Sequence, residues 1–572
     1  MNLHSAVQYL LFLLIVTLCV RPLGGYMKRV FAQERTALDR LCVPLERWIY
    51  RLAGVDSSTE MNAAQYATAF IVFSLAGTLF LYAILRLQQF LPWHFPAYQT
   101  TPLSADLAFN TAVSFSTTTT WQAYGGESTM SYFSQMAGLC VQNFLAGAAG
   151  LAVGIAFIRG LARESSKTLG NFWVDLTRGL LWVLAPGALI GSLLLVWQGV
   201  PMNFHPYAAA KTLEGGVQVI PQGPVAALEL IKNLGTNGGG FFNANGAHPY
   251  ENPTPLTNLL ELLSIVLLPA ALTNTFGRMV QQRRQGWMLY WVMLFLFSCG
   301  LIALHLSERR VNPAIHGAGS SAGQLQSGGN TEGKEVRFGT AGTVLAGAVT
   351  SNGATGSANA ADDSFTSLGG LVLLINLLLG EVIFGGLGTG LFGMIMTAVV
   401  AVFLSGLMIG RTPEYLGKKI GPRENKMVVL YALTGPVTIL TLAAAAISTR
   451  AGLAGLTTNN GAHGLTEIVF AFTSSFANNG QAFAGLSANT PFYNILTVIA
   501  MMAGRFGLAV PALFFAGYAA SQKFTPPSRG TLRTDSLSFA ILLIAFLIVV
   551  TALSYLPVIT LGPVLEHLQF GI

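Results

Sequence analysis

The chain has 572 residues, 52% of them hydrophobic and only 10% charged. A soluble domain carries roughly 25% charged residues, so the composition excludes a water-soluble globular protein and points to an integral membrane protein with little soluble mass. The formal charge of +7 does not imply nucleic acid as a partner, because the basic residues sit in short loops between apolar runs, as the positive-inside rule expects.

Crossing about 30 Å of hydrocarbon takes about 20 apolar residues, and about ten runs qualify. They centre near Leu14, Ser74, Gly147, Pro186, Ile265, Phe295, Glu381 to Leu391, Leu433, Ala503 and Phe546. The first has no Lys or Arg before it and a basic cluster after it, including Arg21, Lys28 and Arg29. A cleavable signal carries its charge first, so this span is expected to be retained with its N-terminus outside. The seventh run, residues 369–408, is too long for one straight span and is expected to break within Gly385-Gly386-Leu387-Gly388-Thr389-Gly390. Loops 21–62, 159–178, 278–284, 411–426 and 523–533 are basic and are expected on the cytoplasmic side. Cys19, Cys42, Cys140 and Cys299 have no metal-binding spacing and read as small hydrophobic residues.

The loops of the opposite side carry one pattern four times. Segments 105–115, 225–234, 341–349 and 464–476 are partly apolar. They are too short to span and read as re-entrant half-helices. Each carries or leads into small polar residues and glycines: Ser116-Thr117-Thr118-Thr119-Thr120-Trp121-Gln122, Gly235-Thr236-Asn237-Gly238-Gly239-Gly240, Thr350-Ser351-Asn352-Gly353-Ala354-Thr355-Gly356 and Phe476-Ala477-Asn478-Asn479-Gly480-Gln481. Irregular backbone at membrane depth is tolerated only where protein buries it or it lines a watery cavity. The expected fold is therefore an all-α polytopic membrane protein. Four pseudo-symmetric helix–pore loop–helix repeats, residues 63–160, 173–277, 286–410 and 426–518, would surround one selectivity filter. Residues 1–62 add a first helix with its cytoplasmic loop, and residues 519–572 a last helix.

A bare monovalent cation must exchange its water for oxygens, and rings of backbone carbonyls provide them. Glycine permits the positive φ that turns successive carbonyls to one axis, and each half-helix aims its partially negative C-terminal end inward. No Asp or Glu lies in these four patterns, which favours potassium over a divalent ion. Arg505 lies inside an apolar span, where an Arg is expensive and suggests function. It reads either as a positive barrier below the filter or as a cap on free carbonyls. Glu381 lies near the interruption of the seventh run and either guides a cation sideways or satisfies broken backbone and pairs with a base. Gly388-Thr389-Gly390-Leu391-Phe392-Gly393 fits the dinucleotide spacing but lies in an apolar span without a βαβ context, and is rejected as a nucleotide site. The sequence contains no GxxxxGK[ST] and no DKTG segment, so no nucleotide is expected on this chain.

Several stretches carry a resemblance. They are Gly235 through Asn245, His248-Pro249-Tyr250-Glu251-Asn252-Pro253, Glu332-Gly333-Lys334-Glu335-Val336-Arg337-Phe338-Gly339, Asp363-Ser364-Phe365-Thr366, Gly380-Glu381-Val382-Ile383-Phe384 and Gly410-Arg411-Thr412-Pro413-Glu414-Tyr415. The chain resembles the KdpA family, potassium-binding subunits of bacterial Kdp potassium-transporting P-type ATPases. The resemblance implies a fold related to Trk/Ktr/HKT channels. It also implies potassium as substrate, an inner-membrane location with a periplasmic N-terminus, and KdpB, KdpC and KdpF as partners. KdpB would hydrolyse the ATP and receive the ion through a tunnel between subunits. Carried over by position, the filter residues are Thr119, Thr120, Gln122, Asn237, Gly238, Gly239, Thr355, Gly356, Asn479 and Gly480. Glu381 and Arg411 match positions near the tunnel, and Arg505 matches the pore arginine. The chain departs from the pattern at Thr118 and Thr120, where Asn is common, and at Ala354, Thr355, Ala477 and Gln481. The alternative is a stand-alone Trk/HKT-type channel or ion-coupled symporter.

Overall fold

The computed structural model describes residues 3–310, 312, 329–408, 410, 413–526 and 532–570. Among these, ten helices are long and apolar enough to cross a membrane. They are α1 (Leu3–Phe31), α3 (Ala63–Leu87), α5 (Ser134–Ala162), α6 (Phe172–Trp197), α8 (Pro255–Met279), α9 (Arg283–Glu308), α12 (Thr389–Met408), α13 (Pro422–Ile447), α15 (Pro491–Ser521) and α16 (Leu537–Gln569). Four shorter helices, α4 (Ala105–Ser116), α7 (Val225–Leu234), α10 (Gly339–Asn352) and α14 (Gly461–Phe476), each stand between two spans. The amphipathic α2 (Asp39–Ala53) follows α1, and α11 (Ser367–Leu378) precedes α12. Short helical turns and two small hairpins lie in the connecting loops. In the first, β1 (Ala208–Lys211) pairs antiparallel with β2 (Val217–Ile220), Ala208 opposite Ile220; in the second, β3 (Glu414–Tyr415) pairs with β4 (Lys418–Lys419).

Local chemistry sets where the spans begin. Asn62 and Gln65 exchange side chain-to-backbone bonds of 3.0 Å at the start of α3. Thr254 and Thr257 do the same before α8, with Pro255 in its first turn. Such reciprocal caps satisfy amide groups that a helix leaves orphaned, which matters most where lipid offers no replacement.

Burial sorts the spans into an inner and an outer set. In the best-fitting stretch of each helix, 83% of α5 and 67% of α8 is buried, against 33% of α3 and of α6. The same order holds for α12 over α9 and for α15 over α13. The second span of each unit is thus inner and the first outer. The flanking helices are mostly exposed, α1 with 28% and α16 with 17% buried, so their apolar surfaces are left to lipid. α1 reaches furthest in at Gly24, where an added Cβ would stand 2.7 Å from both Ala271 O and Asn274 Cβ of α8. Small residues let membrane helices approach this closely.

The seventh run breaks earlier than its glycine pattern suggests. α11 ends at Leu378, and the helix resumes only at Thr389. Gly380 and Glu381 are both left-handed, at φ +75° and +55°. A left-handed glycine just past the last apolar turn is the usual helix stop, so Gly380 ends the helix before Gly385 is reached.

Candidate functional site

The four half-helices end in register. Their last residues are Ser116, Leu234, Asn352 and Phe476. Two positions on, Thr118, Thr236, Ala354 and Asn478 are all left-handed, with φ between +51° and +65°. Two further on, Thr120, Gly238 and Gly480 are left-handed again, at +50°, +97° and +84°. The alternation repeats around the site because the same turn follows each half-helix. Threonine is β-branched and avoids this region, so Thr118 and Thr120 each hold about 1–3 kcal/mol of strain. Both hydroxyls are anchored: Thr118 Oγ1 accepts from Arg505 Nη1 at 3.1 Å, and Thr120 Oγ1 donates to Asn237 O.

The loops close a ring in chain order. A Cβ on Gly238 would stand 2.2 Å from Gly356 N; one on Gly356 would stand 2.6 Å from Gly480 C. One on Gly480 would stand 1.9 Å from Thr119 O. Gly356 N donates to Asn237 O at 3.4 Å, and the Thr120 hydroxyl joins the first loop to the second. Glycine is required at these three points because backbone meets backbone.

The ring is layered. Thr120, Gly238, Gly356 and Gly480 line an outer vestibule of about 470 Å³. Thr118, Thr236, Ala354 and Asn478 line a small chamber on the other side. Between the two layers lie Thr119, Asn237, Thr355 and Asn479, all fully buried. Gln122 stands above, lining the vestibule and donating to Gly240 O at 3.1 Å. Gly239 packs off the axis, where a Cβ would meet Phe115 and Thr120. No carboxylate or base belongs to any of these layers. The vestibule wall does carry Glu335 and Lys334; burial pushes the Lys334 ammonium below its ordinary value against the opposing pull of Glu308. Gln481, next to Gly480 in the fourth loop, donates from Nε2 to Asp362 Oδ2. Burial pushes that carboxyl up to about 7, although the Gln481 bond favours its charge.

Arg505 and Glu381, both inside the membrane-spanning part of the sequence, line the chamber beneath the ring. Arg505 Nη2 donates to Ala146 O at 2.8 Å and Nη1 to Thr118 Oγ1, while its Nε has no partner. Glu381 is buried and its Oε1 has no hydrogen-bond partner. Among the described residues neither charge lies in an ion pair. Arg411 lies outside the described residues.

The family model KdpA, described as the potassium-transporting ATPase A subunit, matches residues 10–568. The chain belongs to this family. It is 51% identical over 568 residues to the potassium-transporting ATPase potassium-binding subunit of Methylobacterium nodulans, covering 99% of this chain and 98% of that one. It is 48% identical over 586 residues to the protein of the same description from Koribacter versatilis, covering 100% and 99%. The crystal structure of the potassium transporter TrkH from Vibrio parahaemolyticus is similar with a TM-score of 0.50 at 12% identity, covering 89% of this chain and 97% of that one. At that identity the likeness concerns the fold alone.

One part of the site was not expected from the sequence. Behind the second loop, Lys232 of α7 is fully buried. Its Nζ lies 2.6 Å from Glu229 Oε2, from Glu251 Oε2 and from Asn245 Oδ1. Asn245 Nδ2 donates to Gly238 O at 2.7 Å, and Glu251 Oε1 accepts from Phe242 N at 2.7 Å. A buried ion network therefore grips the second loop from behind. The available signal was Glu229 and Lys232 three residues apart in a short apolar segment.

Proposed function

We propose that this chain selects potassium for an ATP-driven importer and delivers it to a catalytic partner. The observation that carries the reading is the layered ring: four loops in one register, with a watery vestibule on one side and a closed chamber on the other. Each of the four helix–half-helix–helix units, residues 63–160, 173–277, 286–410 and 426–518, would supply one quadrant. A potassium ion entering from the vestibule would shed water and take carbonyl oxygens of Thr119, Thr120, Asn237, Gly238, Thr355, Gly356, Asn479 and Gly480. The C-terminal ends of α4, α7, α10 and α14 add partial negative charge at that point.

Arg505 supports the pumping role. A guanidinium in a small, buried chamber repels a cation coming straight down. The unpaired carboxylate of Glu381 offers the ion a lateral stop, at a break where backbone is already free of helix bonds. The partners are those of the family: KdpB to hydrolyse ATP, with KdpC and KdpF. The setting is the bacterial inner membrane with a periplasmic N-terminus. Potassium is the substrate, and no nucleotide binds this chain.

The test is potassium-stimulated ATP hydrolysis by the chain co-purified with its genomic neighbours, wild type against Gly356→Asp. The expected result is stimulation of the wild type and a much higher potassium requirement in the variant. If no ATPase co-purifies and the chain alone passes potassium into liposomes, a stand-alone channel is the correct reading.

A further inference from the structure

Away from the ring, one histidine and three carboxylates crowd together. Asp363 precedes α11, His463 and Glu467 lie one turn apart on α14, and Glu566 sits in the last turn of α16. α16 bends at Gly562, which packs on Thr466 of α14, and this brings Glu566 into reach. None of the four lines the vestibule or the chamber.

Single donor atoms of Asp363, His463 and Glu467 all lie within 4.8 Å of one another. His463 Nε2 is 2.6 Å from Asp363 Oδ1 and 3.9 Å from Glu467 Oε1. Its Nδ1 is 2.9 Å from Glu566 Oε1. Asn459 Nδ2 donates to Asp363 Oδ1 at 3.1 Å and to Glu467 Oε1 at 2.8 Å. The Glu467 side chain is 0% exposed, and its Oε2 has no hydrogen-bond partner. Gly485 leaves the space open, because a Cβ there would stand 2.1 Å from Glu467 Oε1.

Three carboxylates against one imidazole leave net negative charge whether or not the ring is protonated. A buried carboxylate oxygen with no partner is costly, and a cation among these groups satisfies it. The Glu566 contact has a second meaning. A carboxylate that accepts a hydrogen bond from Nδ1–H holds that proton in place and turns Nε2 toward Asp363 and Glu467, an arrangement usual behind metal-bound histidines.

We propose that Asp363, His463 and Glu467 bind one divalent metal ion of the zinc or manganese class, with Glu566 and Asn459 holding the ligands in place. One imidazole nitrogen with carboxylate oxygens suits those ions, and three protein ligands leave a position for water. Binding displaces the Nε2 proton to solvent. Asp363 and His463 are partly exposed, which gives the ion a way in. The ion would tie the exit of the third loop, the entry of the fourth half-helix and the end of α16 into one unit.

The experiment equilibrates the tag-free full chain, in its purified complex, with Zn2+ and separately with Mn2+, then removes free metal and measures the bound equivalents. The expected result is one equivalent per chain for at least one ion, removed by a chelator, with a rise in the thermal unfolding temperature. Glu467→Gln and His463→Asn should each lose that equivalent and the temperature rise, while His205→Asn, in an exposed loop, keeps both. Two variants guard against a folding defect in one. The proposal is overturned if the wild type retains neither ion, or if both variants retain the full equivalent.

Discussion

Gly480 and Thr119 meet across the ring so closely that a methyl group on the glycine would stand 1.9 Å from the threonine carbonyl oxygen. Gly480 is also left-handed, at φ +84°. Gly480→Ala therefore strains its own backbone and displaces a carbonyl proposed to face the ion. The expected outcome is a rise of at least about tenfold in half-saturating potassium, since about 1.4 kcal/mol corresponds to a factor of ten. Potassium-stimulated ATP hydrolysis by the complex measures it. Gly199→Ala is the control: φ is +103° there but nothing lies within 4 Å, so affinity should not move.

Among the described residues Arg505 is the one base lining the chamber, held by Thr118 and Ala146. Arg505→Met keeps much of the bulk and removes the charge. Passive potassium flux into proteoliposomes without ATP should rise above wild type. Unchanged flux would mean that the guanidinium only caps carbonyls.

Lys232 neutralises buried carboxylates on two sides, Glu229 and Glu251. Lys232→Met leaves both unpaired, at an expected cost of about 3–5 kcal/mol. Adding Glu229→Gln and Glu251→Gln should recover much of the loss, because contacting residues do not act additively. Thermal unfolding of the three proteins decides. A single variant as stable as wild type would rule out the supporting role assigned to the network.

Glu381 has a buried oxygen with no hydrogen-bond partner, and among the described residues it forms no ion pair. Glu381→Gln should leave the stability to unfolding within about 1 kcal/mol of wild type, or higher, because no buried ion pair is broken. Turnover at saturating potassium should fall at least about tenfold if the carboxylate receives the ion. Full turnover would remove Glu381 from the path.

The spans and the half-helices were legible in the sequence because both are local properties. Apolar length, capping residues and the side on which Lys and Arg fall are set by neighbours in the chain. The four loops were legible too, since threonine, asparagine and glycine in apolar surroundings are costly without a purpose. The onset of the break before α12 was not legible, because the glycine-dense stretch 385–390 is the stronger local signal, whereas Gly380 alone stops the helix.

Other features are decided by residues far apart in the chain. Pairing of Gly238 with Gly356, of Gly356 with Gly480 and of Gly480 with Thr119 depends on four half-helices packing around one axis. The confrontation of Arg505 and Glu381 in one chamber, and of His463 with Glu566, depends on inner helices and a bent C-terminal helix meeting. The sequence by itself determined what must lie in the membrane and which loops cannot face lipid. Only the tertiary structure decided which atoms those loops present to one another, because van der Waals contact and hydrogen bonding act over a few ångströms in space, not along the chain.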